Sequence, residues 1–421
     1  MSATLSPAAE AARMIDSLGP EALAKAQAYT IGNHVLIFAG LAVTILVAWL
    51  IIRSKVLDKV AAWLAKPAES EEPSADSNAP NQADGEAQEE KKPDRWVLPT
   101  LAVSATYLLA DSVLSLPWSI YTGWQRQRAY DLSKQPLGDF LAQSAISTAL
   151  SVVMMSLFML GIYTLIRRTG ARWWLWGGGF AGAVVLLVLL ASPSVIEPMF
   201  NKYEPVPPGE VRTALEQIAD DVKIPHDRIF MFDGSRQSER FTANVAGIGP
   251  TARIAIADVA LKEASLAEVR AVTGHEAGHY KLGHVWRAAV VMPLVAMLFF
   301  FLLNRLFAPA ARLLGSDATL GDPRGLPVFM VVVSALSVLL TPVLNSLSRI
   351  DEAEADAYSL QMVNEPDALA TALVKTAEYR YPRPSALQEM LFYTHPSVEK
   401  RVLRAMEWKA AHPKAEAPKG P

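Results

Sequence analysis

The sequence has no cysteine, which excludes a disulfide framework, a thiol nucleophile and any metal site built on thiolate. Its charges nearly cancel, to a formal net charge of −3, and no basic face or nucleic-acid motif stands out, so nucleic acid is not an expected partner. Residues 1–30 carry neither the basic start nor the cleavage site of a secretory signal and read as a short amphipathic lead-in. Charged residues are scarce, at 19% against 51% hydrophobic, and the mean hydropathy is +0.20. In a chain of 421 residues, long enough for two or three soluble domains, that balance points to the membrane.

The apolar residues are gathered into runs of membrane length. Val35 to Ile52 is broken only by Gly40 and Thr44 and ends at Arg53 and Lys55. Further runs cover residues 96–118, 140–166, 173–190, 288–303 and 326–347. The second contains Asp111, an ionisable residue that marks an interior or water-lined face unless it snorkels to the interface. The fourth has Gly178 and Gly182 in the G-x-x-x-G register that lets helices approach closely. Residues 66–95 are Pro, Ser, Ala, Glu, Asp and Gln with almost no large apolar side chain, the composition of a disordered linker.

Residues 192–285 read as a water-facing insert, with a helix near Glu210 to Asp221 and strands at 228–232, 241–246 and 253–257. The expected fold is therefore an all-α polytopic membrane protein of about six transmembrane helices, the first within 31–65, three within 96–191 and two within 286–347. A small α+β insert interrupts them, a helical segment over 348–408 follows, and 409–421 reads as a loose tail.

Chemistry concentrates in His275-Glu276-Ala277-Gly278-His279, an H-E-x-x-H pattern on a helix whose start is marked by a capping box of Ser265 and Glu268. Residues four apart share a helix face, so His275 and His279 can bind one Zn²⁺ while Glu276 reaches a water beside it. That is the equipment for peptide hydrolysis. A third ligand has to come from elsewhere. A third His six residues after His279 is missing, since Val285 stands there, and His284 is a poor substitute, because nine residues at about 100° each put it on the helix face opposite His275. The acidic cluster from Ser348 to Tyr358, directly after an apolar run, offers candidates.

With these motifs the chain resembles the type I CAAX prenyl proteases, integral-membrane zinc endopeptidases. The resemblance rests also on Leu116-Pro117-Trp118-Ser119-Ile120-Tyr121, on residues 198–205, on Asp233-Gly234-Ser235-Arg236 with Asn244, and on His395-Pro396-Ser397 through Arg401, all in family order over residues 98–405. It implies that Glu352 is the third zinc ligand and that Asp356 buttresses a ligand His. It further implies that His395 stabilises the oxyanion and that Arg401 orders the carboxylates and the substrate backbone. Asn244 matches the substrate-binding Asn of an edge strand, although Val245 and Ala246 replace the family's aromatics. The eukaryotic members have seven spans, and the helix missing here is the first, its place in closing the membrane chamber falling to residues 1–30.

The expected substrates are peptides or membrane-protein segments, prenylated ones on the strength of the resemblance alone, and the expected partner is the lipid bilayer. Membrane-protein quality control is the rival peptidase function; a transporter with a His/Glu ion site is the rival of another class, disfavoured by the lack of internal repeats. The resemblance puts the active site on the cytoplasmic face, of a bacterial inner membrane or alternatively of the endoplasmic reticulum. Positive charges at Arg53, Lys55, Lys59, Lys91, Lys92, Arg95, Arg167, Arg168 and Arg172 flank the opposite loops and argue for the reverse orientation.

Overall fold

The computed structural model describes residues 5–65, 96–238 and 242–413. The expected linker over 66–95 and the last eight residues of the expected tail lie outside the described residues.

The chain begins with α1 (Pro7–Asp16), capped by Ser6, and passes at once into α2 (Gly19–Ser54) and the short α3 (Val56–Ala65). Then follow α4 (Val97–Ser119), a π-helical turn, α5 (Arg126–Ala129), α6 (Leu137–Thr169) and α7 (Trp173–Ala191). Five stretches are long and apolar enough to cross a membrane, and the third, Leu137–Met199, is itself two helices. Gly170 breaks it at a φ of 53°, a backbone region costly to any residue with a Cβ, and α7 folds back along α6. With α11 (His284–Leu314) and α12 (Leu326–Val363) this makes six apolar helices, as expected.

Large side chains such as Phe38, Val113, Leu187, Leu294 and Leu339 point outward, which suits lipid and not water. Inside, Val47, Val103, Met159, Trp173, Leu303 and Leu326 form one core joining all six helices. The glycines of the G-x-x-x-G pair seat α7 on α11: a Cβ on Gly178 would stand 2.7 Å from the backbone nitrogen of Met297, and one on Gly182 would stand 2.8 Å from Pro293 Cβ. Asp111 lines a cavity of about 530 Å³ with Ser112, Ser115, Gln143 and Ser147, so it faces a polar interior between α4 and α6.

Two helices outrun the bilayer. At 36 and 38 residues, α2 and α12 measure about 54 and 57 Å, against a hydrocarbon thickness of about 30 Å. The early part of α2, read from sequence as part of a lead-in, protrudes as helix. The late part of α12 carries Glu352 and Asp356 beyond its apolar stretch.

The insert holds α8 (Glu210–Val222), a four-stranded sheet, α9 (Asp258–Glu263) and α10 (Leu266–Lys281). The strands are β1 (Tyr203–Pro205), β2 (Ile229–Phe232), β3 (Ala243–Ala246) and β4 (Arg253–Ala257), in the order β1-β2-β4-β3. Only the short β1 had no strand-like signal. β4 is fully buried, pairing parallel to β2 and antiparallel to β3, and this leaves β3 as a free edge packed beside α10. The C-terminal segment is α13 (Pro366–Lys375), α14 (Ala386–Phe392) and α15 (Val398–Ala411).

Here the expected tail needs correction, because α15 continues to Ala411 and Lys409 is fixed by Glu10 at 3.0 Å and Asp367 at 2.6 Å. Arg383 likewise reaches Asp16 at 2.6 Å. The lead-in is thus a helix docked on α15, and both described ends of the chain lie on one side of the bundle. An even number of crossings between them requires this.

Candidate active site

α10 starts as its sequence dictates. Ser265 Oγ accepts from Glu268 N at 3.2 Å, and the Glu268 carboxylate accepts from Ser265 N at 2.8 Å. Lys375, at 2.9 Å, balances the Glu268 charge. The helix packs against α12 through glycine: a Cβ on Gly278 would stand 3.1 Å from Ala355 Cα and one on Gly274 2.6 Å from Val363 Cγ2. That closeness brings the H-E-x-x-H face against the acidic cluster.

His275 Nε2 lies 3.2 Å from His279 Nε2 and 3.2 Å from Glu352 Oε2, and His279 Nε2 lies 3.5 Å from Glu352 Oε1. Donor atoms round a tetrahedral metal with bonds of about 2.0–2.1 Å stand roughly 3.3 Å apart. Glu352 Oε2 is buried without a hydrogen-bond partner, an arrangement costly to a carboxylate unless a cation completes it. The donor set therefore fits a metal ion. Glu354, two residues on, faces away from this cluster, as the helical wheel requires.

Behind the cluster, His275 Nδ1 is 3.0 Å from Asp356 Oδ1. Arg401 grips Asp356 with two hydrogen bonds, Nε to Oδ2 at 2.8 Å and Nη2 to Oδ1 at 2.7 Å. The pair is buried, and α15 is thereby tied to α12. Burial alone would lower the His275 pKa, but Asp356 and Glu352 together lift it to about 9, the mark of a site that attracts positive charge.

His395 completes the ring, its Nε2 3.1 Å from Glu352 Oε1 and its Nδ1 2.8 Å from Thr394 Oγ1. Burial, reinforced by the Arg380 charge, pushes it down to about 3, so the imidazole is neutral. Burial also pushes the Glu276 carboxyl up from its ordinary value. Glu276 lines a cavity of about 210 Å³ together with Val272, His275, His395, Arg380 and Arg401.

Asn244 sits on the edge strand with its Oδ1 buried and unpartnered. Seven of the eight site residues expected from sequence are thus brought together by α10, α12 and the C-terminal segment, and Asn244 lies on the neighbouring edge strand, lining neither of the cavities beside it. His284 is the correction. α10 does not continue through it, because Gly283, at a φ of 71°, turns the chain and starts α11 there. His284 Nδ1 consequently meets His279 Nδ1 at 2.8 Å, while its Nε2 meets Glu354 Oε2 at 3.0 Å. Arg287 pairs with Glu354 and with Asp351. Arg380, which no motif announces, is the other residue that sequence reading missed.

Six apolar helices with this cluster at their end define a membrane-embedded metallopeptidase. Two family descriptions match successive parts of the chain: the CAAX prenyl protease N-terminal region, five membrane helices, over residues 6–202, and peptidase family M48 over residues 205–409. The chain belongs to peptidase family M48, in the form that carries the CAAX prenyl protease N-terminal region. Among the described residues of that region only four helices are long and apolar, namely α2, α4, α6 and α7.

The rice protein named CAAX prenyl protease 1 homolog is 27% identical over 404 residues, covering 94% of this chain and 89% of its own. A metalloprotease of Bacillus subtilis, YhfN, is 27% identical over 328 residues, 75% of this chain and 77% of its own. The crystal structure of S. mikatae Ste24p superposes with a TM-score of 0.62 at 23% identity, over 73% of this chain and 75% of that one, a likeness of fold.

Proposed function

We propose that the chain is a zinc endopeptidase that trims prenylated or membrane-associated peptides near their C-terminus. The observation that carries the reading is the trio of His275, His279 and Glu352, whose donor atoms stand 3.2 to 3.5 Å apart round one point. In it His275, His279 and Glu352 hold the zinc. Bound there, the ion would polarise the scissile carbonyl and make water a stronger nucleophile.

The chain's own groups do the rest. An extended peptide adds to the free edge of β3 by main-chain hydrogen bonds, and Asn244 offers its unpartnered side-chain oxygen to the peptide's N–H. Glu276, at the wall of the cleft, takes the proton of the attacking water and returns it to the leaving amine. Neutral His395, whose Nε2 faces the Glu352 carboxylate, carries its proton there and donates it as a hydrogen bond to the developing oxyanion, Thr394 then donating to Nδ1. Arg401 keeps Asp356 and hence His275 in place.

The reading extends to an active site on the cytoplasmic face of a bacterial inner membrane. Six crossings with both described ends on one face allow it, and the positive charges of the opposite loops oppose it. Incubating zinc-loaded enzyme with a farnesylated C-terminal peptide tests the function: release of a C-terminal fragment by the parent and none by Glu276→Gln is expected. Equal release by both would overturn the mechanism. A reporter fused after Pro421 should be active only in the cytoplasm; activity only on the far side would reverse the orientation and leave the chemistry standing.

A further inference from the structure

Arg380 is a guanidinium without a partner. Among the described residues it makes no hydrogen bond and no ion pair. It nevertheless lines the cavity that contains Glu276, His395 and Arg401, where burial already disfavours its charge. The carboxylate whose charge bears on it is that of Glu352, which is already shared among His275, His279 and His395. A half-buried cation left unpaired in this way is costly, and an anionic ligand would offset the cost.

The rest of the cleft says which part of a peptide would bring the anion. β3 runs from one cavity to another: Thr242 and Ala243 line the Arg380 cavity, whereas Val245, Ala246 and Ile248 line a second of about 210 Å³. The second also contains His279 and, from the end of the membrane helix α7, Leu189 and Leu190. A peptide laid antiparallel on β3 runs from Ala246 towards Ala243. Its N-terminal part then rests beside the apolar end of a membrane helix and its C-terminal part enters the cavity with Arg380.

We propose that Arg380 receives the free α-carboxylate of the substrate, so that the enzyme measures its cut from a C-terminus. The proposal rests on the peptidase reading above and names what that site selects. Because one cavity holds both Arg380 and Glu276, the fragment released is a few residues long. The apolar cavity at the other end accommodates a lipid-modified or hydrophobic residue on the N-terminal side of the cut.

The test uses full-length, zinc-loaded enzyme in detergent and one internally quenched peptide sequence, with S-farnesyl cysteine four residues from the end, made as free acid and as amide. A charge-assisted hydrogen bond of ordinary strength gives the acid an advantage of about 10- to 100-fold in kcat/KM. Arg380→Met should bring the acid-to-amide ratio close to one, and Arg380→Lys should restore most of it. Equal rates for acid and amide with the parent enzyme would overturn the assignment, as would a ratio that survives in an Arg380→Met protein with normal zinc content and thermal midpoint.

An amide peptide ending in Glu that matched the free acid would overturn the assignment to the terminus. Should Arg380→Met not fold, inhibition of the parent by the matching tripeptide acid and amide decides, the acid binding tighter if Arg380 reads it and equally if not. Cleavage of neither peptide in a Glu276-dependent way would fell the peptidase reading together with the proposal, whereas equal cleavage of both fells the proposal alone.

Discussion

His279 and His284 face each other through their Nδ1 atoms at 2.8 Å, and the far nitrogen of His284 lies 3.0 Å from Glu354. If His279 gives Nε2 to a metal, its proton must sit on Nδ1. It then donates to His284, whose own proton sits on Nε2 and is donated to Glu354. One tautomer satisfies the whole row, and Arg287 holds the carboxylate that ends it. His284→Phe should therefore weaken zinc binding by about 10- to 100-fold in chelator competition, the size of effect usual for groups that orient a ligand His. Glu354→Ala should weaken it less and still retain one zinc. Unchanged affinity in both variants would show the row to be packing alone.

Metal and chemistry should separate by mutation. His275→Ala and Glu352→Ala should each lose zinc stoichiometry and hydrolysis, whereas Glu276→Gln should keep zinc and lose hydrolysis, because it removes a base and leaves the donor set whole. Elemental analysis beside a peptide assay measures both. Full activity in the Gln variant would sink the proposed role.

Arg401→Met should destabilise the protein by up to about 3–5 kcal/mol, since it removes both hydrogen bonds that Arg401 makes to the buried Asp356 and leaves it Arg404, 3.7 Å away, as the nearest arginine. Denaturant unfolding in detergent reads the loss. The double variant Arg401→Met with Asp356→Leu should recover part of the stability without recovering activity.

Gly178→Val should lower the thermal midpoint markedly, as α7 would have to part from the Met297 backbone of α11; overpacking of this kind costs about 1–3 kcal/mol. Gly179→Val, at a position where a Cβ meets nothing within 4 Å, is the control and should change little.

What the sequence allowed, and what it hid, divides along physical lines. The zinc helix was legible because its signals are local: a capping box, two histidines one turn apart, and a carboxylate beside them. Glu352 and not Glu354 followed from helical periodicity once a family pattern set the register. His284 was misread because counting residues at a fixed angle assumes one unbroken helix, and Gly283 is the signal that could have stopped the count. The docking of α1 on α15 depends on Asp16, Glu10, Arg383 and Lys409, pairs separated by hundreds of residues and carrying no spacing rule. Arg380 is silent for a different reason: nothing in a sequence says that an arginine will lack a partner.

The clasp between the first and last helices also bears on how the molecule is made. α1 is made well before α15, so α1 cannot settle on its partner until α15 has been made. Arg401, on α15, and His395 just before it are equally late arrivals. A nascent chain that already displays His275, Glu276, His279 and Glu352 still lacks the arginine that holds Asp356 and the histidine that meets Glu352. The site is therefore assembled only after all six of the apolar helices have been made.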